Sequence, residues 1–246
     1  MTEEELYNSL NHYEEPKQSK ARELNQALPI LTRKMYVWMA LALVITGVTA
    51  FGVAGSPNLL RAIYTSPAIM WGLIIGEFAL VIGVSAGINR LSLGTATFMF
   101  ILYSVLNGAL FSSIFMIYTA TSIAKVFFIT AGTFGIMAVY GATTKKDLSS
   151  IGNICFMALI GLVIATLVNL FLRSAAFDYI LSYIGIAIFI GLTAWDTQRM
   201  KRILSTQYEV NEGAQKLALL GALNLYMDFI NLFLYLLRIF GNSSNH

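Results

Sequence analysis

Charge is what this chain has least of. Only 12% of its 246 residues are Asp, Glu, Lys or Arg, against 57% hydrophobic, and the mean hydropathy is +0.69. A soluble domain of this size carries about 25% charged residues, so the deficit excludes an ordinary soluble fold. Cysteine occurs once, Cys155, inside an apolar run, and no intrachain disulfide can form. The two histidines, His12 and His246, lie near opposite ends. That removes the ligands of a His/Cys metal cluster, and zinc-hydrolase chemistry with them. The net charge of +3 is too small and too dispersed to point to nucleic acid. Proline is confined to Pro16, Pro29, Pro57 and Pro67, all outside the spans expected below, so proline kinks and proline-broken half-helices are not expected. This argues against a transporter built on discontinuous helices.

What remains is an all-α polytopic membrane protein. Residues 1–33 are polar, with Glu3, Glu4, Glu5, Glu14, Glu15 and Glu23 against Lys17, Lys20, Arg22 and Arg33. They lack the basic start, apolar core and small-residue cleavage site of a secretory signal peptide. We read them as a mobile or partly helical cytoplasmic tail ahead of a membrane domain at 34–241, with a short C-terminal tail at 242–246. Hydropathy marks seven spans, at about 35–54, 68–88, 96–118, 124–143, 151–172, 179–197 and 217–240, each near the roughly 20 residues that a bilayer requires. With the N-terminus inside, Arg33, Lys34, Arg90, Lys145, Lys146, Arg199, Lys201, Arg202 and Lys216 share the cytoplasmic side. Only Arg61, Lys125, Arg173 and Arg238 lie opposite. The positive-inside rule therefore predicts a cytoplasmic N-terminus and an external C-terminus. The second span carries Gly72, Gly76, Ala79, Gly83 and Gly87 on nearly one face, a ridge expected to let a neighbouring backbone approach closely.

The last span, 222–240 (ALNLYMDFINLFLYLLRIF), carries an acid in its middle. Asn224, Asp228, Asn231 and Tyr235 fall at i−4, i, i+3 and i+7, one polar stripe on an apolar rod. A charge at that depth costs roughly 2.5–3.5 kcal/mol on insertion scales unless it faces protein or water, so this helix belongs inside a bundle. A second acid, Asp196, lies near the end of the sixth span in LTAWDTQRM (192–200), with Arg199 at i+3 for a local pair. The two acids reach one depth only if the seventh helix starts well outside the membrane or the sixth continues through residues 200–204. Two carboxylates so placed cannot both ionise freely and titrate as a unit. A shared proton would hold the helices together, and its loss would leave charges that repel or attract a hard cation such as Ca²⁺. Glu77, in the second span, is a third embedded acid and a candidate lining residue. Arg90 ends that span and could snorkel to the headgroups or reach Asp196. Asn107 and Asn169 read as interhelical hydrogen-bond donors. Asp147 and Asp178 read as solvated loop acids.

The segment NLYMDFINLFLYLLRIFG (224–241) resembles the terminal helix of the Bax inhibitor-1 family, the transmembrane Bax-inhibitor-motif proteins. Asp196 followed by Thr197, Gln198 and Arg199 resembles a second signature of that family, and GATTKKDLS (141–149) resembles its loop between spans four and five. The polar N-terminal extension looks most like the bacterial YccA-type branch, which implies the bacterial inner membrane. The resemblance implies two three-helix brackets around a central seventh helix. It also implies a two-aspartate pH sensor, Asp196 and Asp228, controlling a Ca²⁺ leak, with Ca²⁺ meeting the pair transiently. Glu77 matches an acid of the second helix, and Arg90 is the candidate for a basic latch. The branch further implies, as an alternative function, modulation of a membrane-anchored AAA protease through the N-terminal tail. No enzyme activity and no cofactor are expected. An intramembrane aspartyl protease is disfavoured, because Leu225, Tyr226 and Met227 precede Asp228 where that class has a Gly-x-Gly lead-in.

Overall fold

The computed structural model describes residues 3–242, with side chains for residue 23 and for 26–242. Nine helices occur among the described residues and no strand. They are α1 (Glu3–Ala54), α2 (Pro57–Thr65), α3 (Pro67–Gly87), α4 (Leu93–Phe111), α5 (Ile114–Ile117), α6 (Ala120–Thr143), α7 (Ser149–Leu172), α8 (Ala175–Leu204) and α9 (Glu212–Phe240). Seven helical segments are long and apolar enough to cross a membrane, α4 and α5 together forming one of them.

Local chemistry sets most of the boundaries. Pro57 and Pro67 open α2 and α3, where a missing N–H costs nothing and the fixed φ favours the helix. Ser92, Thr119, Ser174 and Asn211 cap α4, α6, α8 and α9 by accepting a backbone N–H from the first turn. The break between α4 and α5 at Ser112 and Ser113 is supported by Tyr64 of α2. Its hydroxyl donates to the Leu110 carbonyl at 2.7 Å and accepts from the Ser113 N–H at 3.1 Å, which satisfies groups that the break would otherwise strand.

The structure departs from the sequence expectations at the first helix. The stretch read as a tail is helical from Glu3 and runs without a break into the first span. The boundary expected at 33/34 therefore lies inside α1, and the apolar segment starts at Gln26. Ala27 and Leu31 are already buried in the core. Pro29 accordingly lies within a span, which the proline reading excluded, and Pro67 lies at the start of another.

α9 is the axis of the bundle. Of its most apolar window 67% is buried, against 6% for α3 and 11% for α7. Four helices surround it: α1 and α4 on one side, α6 and α8 on the other. α3 packs outside against α4, and α7 outside against α8. This is the expected arrangement of two three-helix groups about a central C-terminal helix. Glycines set two of the tightest approaches. A Cβ on Gly108 of α4 would lie 2.6 Å from the Thr46 carbonyl of α1, and one on Gly141 of α6 would collide with the Ala194 carbonyl of α8.

The glycine ridge of α3 does not serve as expected. Gly76 and Gly83 meet the side chains of Leu106 and Met99, while Gly72 has nothing within 4 Å. Close backbone contact in this fold uses other glycines.

Candidate functional site

Two features of length bring the two acids to one depth, within reach of each other. α8 continues through Leu204, so Asp196 lies eight residues, about 12 Å, inside its end. α9 starts at Glu212, so Asp228 lies sixteen residues, about 24 Å, along it. The difference is accommodated by the connection at 205–211 and by an anchored start to α9. There Lys34 of α1 donates to Gln215 at 2.6 Å, Lys216 to the Leu91 carbonyl at 3.0 Å, and the Leu93 N–H to Glu212 at 2.9 Å.

The carboxyl groups of Asp196 and Asp228 consequently face each other across the α8–α9 contact, within hydrogen-bonding reach. Both are buried, at 8% and 5% exposure. Asp228 Oδ2 is fully enclosed and receives no donor. Asp196 has a cation nearby: Arg199 Nη1 lies 3.8 Å from its Oδ1, with the guanidinium 5.2 Å from the centre of the Trp195 ring. That geometry suits a cation–π contact. Trp195 is in turn seated on Gly152 of α7, where any Cβ would run into the indole.

Asp196, Arg199, Asn224, Asp228 and Asn231 line one cavity of about 420 Å³ between α7, α8 and α9, walled by Phe189, Leu192 and Trp195. Three of the four residues of the polar stripe predicted for the last helix, Asn224, Asp228 and Asn231, therefore face a single space. Asn231 donates to the Met227 carbonyl at 2.8 Å, leaving its side-chain oxygen for the cavity. Tyr235, the fourth member of the stripe, does not line it. Its ring stacks on Phe189 at 5.9 Å and presses against Gly185, where a Cβ would come within 2.7 Å. A space between membrane-spanning helices that is lined by two carboxyls and two amides can hold a proton or a cation.

Glu77 and Arg90 are not part of this space. Glu77 lies on α3 beside Asn107 and Tyr103 of α4, on the side of α9 that carries Tyr226. Arg90 is exposed in the turn after α3, and the cation at Asp196 is Arg199. α3, which ends just before that turn, packs on α4 and not on α8, so Arg90 lies away from the acid. Asn169 does act between helices, donating to Asp178 at 2.7 Å, and Asp178 also pairs with Arg238 of α9 at 3.5 Å. Asp178 is therefore a paired residue of the first turn of α8 and not the solvated loop acid expected. Asp147 is an exposed loop acid, as expected, and pairs with Arg202 at 3.2 Å.

A second polar group escaped the sequence reading. Tyr226 is buried on the opposite face of α9 from Asp228. Its hydroxyl and that of Thr46 on α1 are 2.7 Å apart, Thr46 donates to the Ser104 carbonyl at 3.0 Å, and the rings of Tyr103 and Phe100 meet Tyr226 edge-on. Tyr226 is two positions from Asp228, which on a helix means the far side. That signal was available; the partner Thr46 was not.

The pattern of the family described as "Inhibitor of apoptosis-promoting Bax1" matches residues 28–245. The chain is 50% identical to the inner membrane protein YbhL of Escherichia coli (strain K12) over 211 residues, covering 85% of this chain and 90% of that protein. It is 42% identical to an uncharacterized protein of Borreliella burgdorferi, covering 86% and 91%. With Rickettsia prowazekii protein RP147 the identity is 41%, covering 91% and 94%. A match over most of the length, on a seven-span bundle built round its last helix, means that this chain belongs to the Bax inhibitor-1 family of membrane proteins.

Proposed function

We propose that the chain is a pH-sensitive cation leak channel of the bacterial inner membrane, in which Asp196 and Asp228 share a proton that holds the path shut and Ca²⁺ is the permeant ion. The observation that carries this reading is Asp228 Oδ2, enclosed without a donor and facing a second carboxyl beside a largely apolar cavity that both acids line. A buried carboxylate oxygen without a donor costs free energy. One proton between the two acids removes that cost and draws α8 and α9 together. Loss of the proton leaves two negative charges in a low-dielectric site, which separate or recruit a cation. Ca²⁺ takes six to eight oxygen ligands. The two carboxyls and the side-chain oxygens of Asn224 and Asn231 supply part of that set, and water supplies the rest. Arg199 competes with the cation for Asp196. Phe189, which lines the cavity, stacks on Tyr235 of α9.

The inner membrane location is supported by the printed description of YbhL and by the seven apolar helices. The charge distribution supports a cytoplasmic N-terminus. Lys34 and Lys216 lie at the same end as Lys145, Lys146, Lys201 and Arg202, and Arg238 lies at the other end of α9.

The test is Ca²⁺ entry into dye-loaded liposomes carrying the purified chain, between pH 6 and pH 8. Flux above that of empty liposomes, rising with pH as the shared proton leaves, is expected. Flux that is flat with pH removes the proton gate.

A second reading is modulation of a membrane-anchored AAA protease. It is favoured by α1, which extends as a helix from Gln26 back to Glu3, beyond the apolar span. Deleting residues 1–25 is expected to abolish co-purification with such a protease. Unchanged recovery would eliminate tail-mediated binding.

A further inference from the structure

The GATTKKDLS loop takes no part in the proposed gate, yet it builds a cavity of its own. At the lysine-rich end of the bundle, Gly141, Ala142, Thr144, Lys145, Lys146 and Asp147 close against Gln198, Lys201, Arg202 and Ser205 around about 270 Å³. Its floor exists because Gly141 lets the end of α6 lie directly on the Ala194 carbonyl of α8. Gln198 fixes the loop from both sides, accepting the Leu148 N–H at 2.9 Å and donating to the Lys146 carbonyl at 2.8 Å. Lys201 donates to the Ala142 carbonyl at 2.6 Å.

We propose that this cavity binds a phosphate group, either that of an anionic phospholipid headgroup or a free phosphate.

Four cationic side chains line a small concave space. The one acid among them, Asp147, is matched by Arg202 at 3.2 Å and by both the hydroxyl and N–H of Ser149. These donors hold its carboxyl below the ordinary value of 3.8, so it stays ionised and engaged at neutral pH. Lys145 and Lys146 are exposed, and their ammonium groups have no partner among the described residues. They are free to meet an anion, whereas Lys201 and Arg202 hold the frame.

Depth favours a lipid source. Within about two turns of the cavity, Val139 and Tyr140 on α6 and Ile151 and Ile154 on α7 are exposed apolar side chains, placing the pocket where apolar surface gives way to charge. A phosphate there could be held by the lysines while its acyl chains lie along those residues. Basic pockets between membrane helices bind anionic headgroups for this reason.

The experiment uses the full chain in neutral detergent. Native mass spectrometry is run with phosphatidylglycerol or phosphatidylcholine added, and thermal unfolding is followed with inorganic phosphate and no lipid. The wild type is expected to retain one phosphatidylglycerol in preference to phosphatidylcholine by about tenfold or more. The double variant Lys145→Gln/Lys146→Gln is expected to lose that preference, while Lys125→Gln, at the opposite end, keeps it. Ser205→Glu, which puts a negative charge into the cavity without touching the lysines, is expected to reproduce the loss. Protection by inorganic phosphate that both variants abolish, without lipid preference, assigns the site to free phosphate. Equal phosphatidylglycerol retention by the wild type and both variants, with no phosphate protection, overturns the proposal.

Discussion

Asp228→Asn removes the pH response of Ca²⁺ flux while leaving a folded bundle. The substituted amide is nearly isosteric with the acid and can donate permanently to Asp196, the carboxyl that faces it across α8 and α9. It therefore mimics the shared proton but cannot release it. In a gate opened by loss of one proton, the open fraction changes about tenfold per pH unit on the acid side of its midpoint, since one unit corresponds to about 1.4 kcal/mol. The variant is expected to hold the acid-side flux at every pH from 6 to 8, a ratio near one where the wild type spans about tenfold or more. Val163→Ala, which alters the same cavity at an apolar wall residue that is neither an acid nor a cation ligand, serves as the control and keeps the slope. A folded Asp228→Asn protein with an undiminished pH slope would show that the proton is read elsewhere.

Gly141→Val has the largest expected cost in stability. A Cβ at this position falls on the Ala194 carbonyl, backbone against backbone, and no side chain can turn aside to relieve it. α6 and α8 must move apart. Overpacking costs about 1–3 kcal/mol in ordinary cores, sometimes more, and a rigid carbonyl belongs at the upper end of that range. The displacement also reaches Asp196, two residues beyond Ala194 on α8, and unseats Gln198 from the Lys146 loop. Thermal unfolding in detergent should report a lowered midpoint. Gly132, on the same helix, has nothing within 4 Å of an added Cβ, so Gly132→Ala is expected to be neutral or slightly stabilising, glycine being the weaker helix former by about 1 kcal/mol. Equal midpoints for Gly141→Val and Gly132→Ala would contradict the α6–α8 contact.

The seven spans, the acid in the last of them and its polar stripe were legible because each is a property of one helix. Hydropathy over about 20 residues and a 3.6-residue period need no neighbour to be read. The same locality explains the misreadings. Pro29 lay in a polar-to-apolar transition, where hydropathy places a boundary but helix continuity does not have to follow it. Residues 57–65 are too short for a span, so α2 was passed over, although the prolines at positions 57 and 67 mark the starts of both α2 and the helix after it. The ridge of α3 had the right spacing for close packing but meets side chains of α4 rather than a backbone, because spacing does not specify which helix comes alongside or how near.

Sequence alone determined that this chain is a membrane bundle, that its last helix is buried, and that two acids sit on consecutive helices. Only the tertiary structure decided that those acids meet, that Arg199 rather than Arg90 lies beside them, and that Glu77 belongs to a different side of α9. The reason is physical. Helix formation and membrane partition are fixed by backbone hydrogen bonding and transfer free energy within a segment. Helix pairing is fixed by contacts such as Gly141 on Ala194 and Gly152 on Trp195, whose partners lie more than forty residues apart in the chain and have no common period.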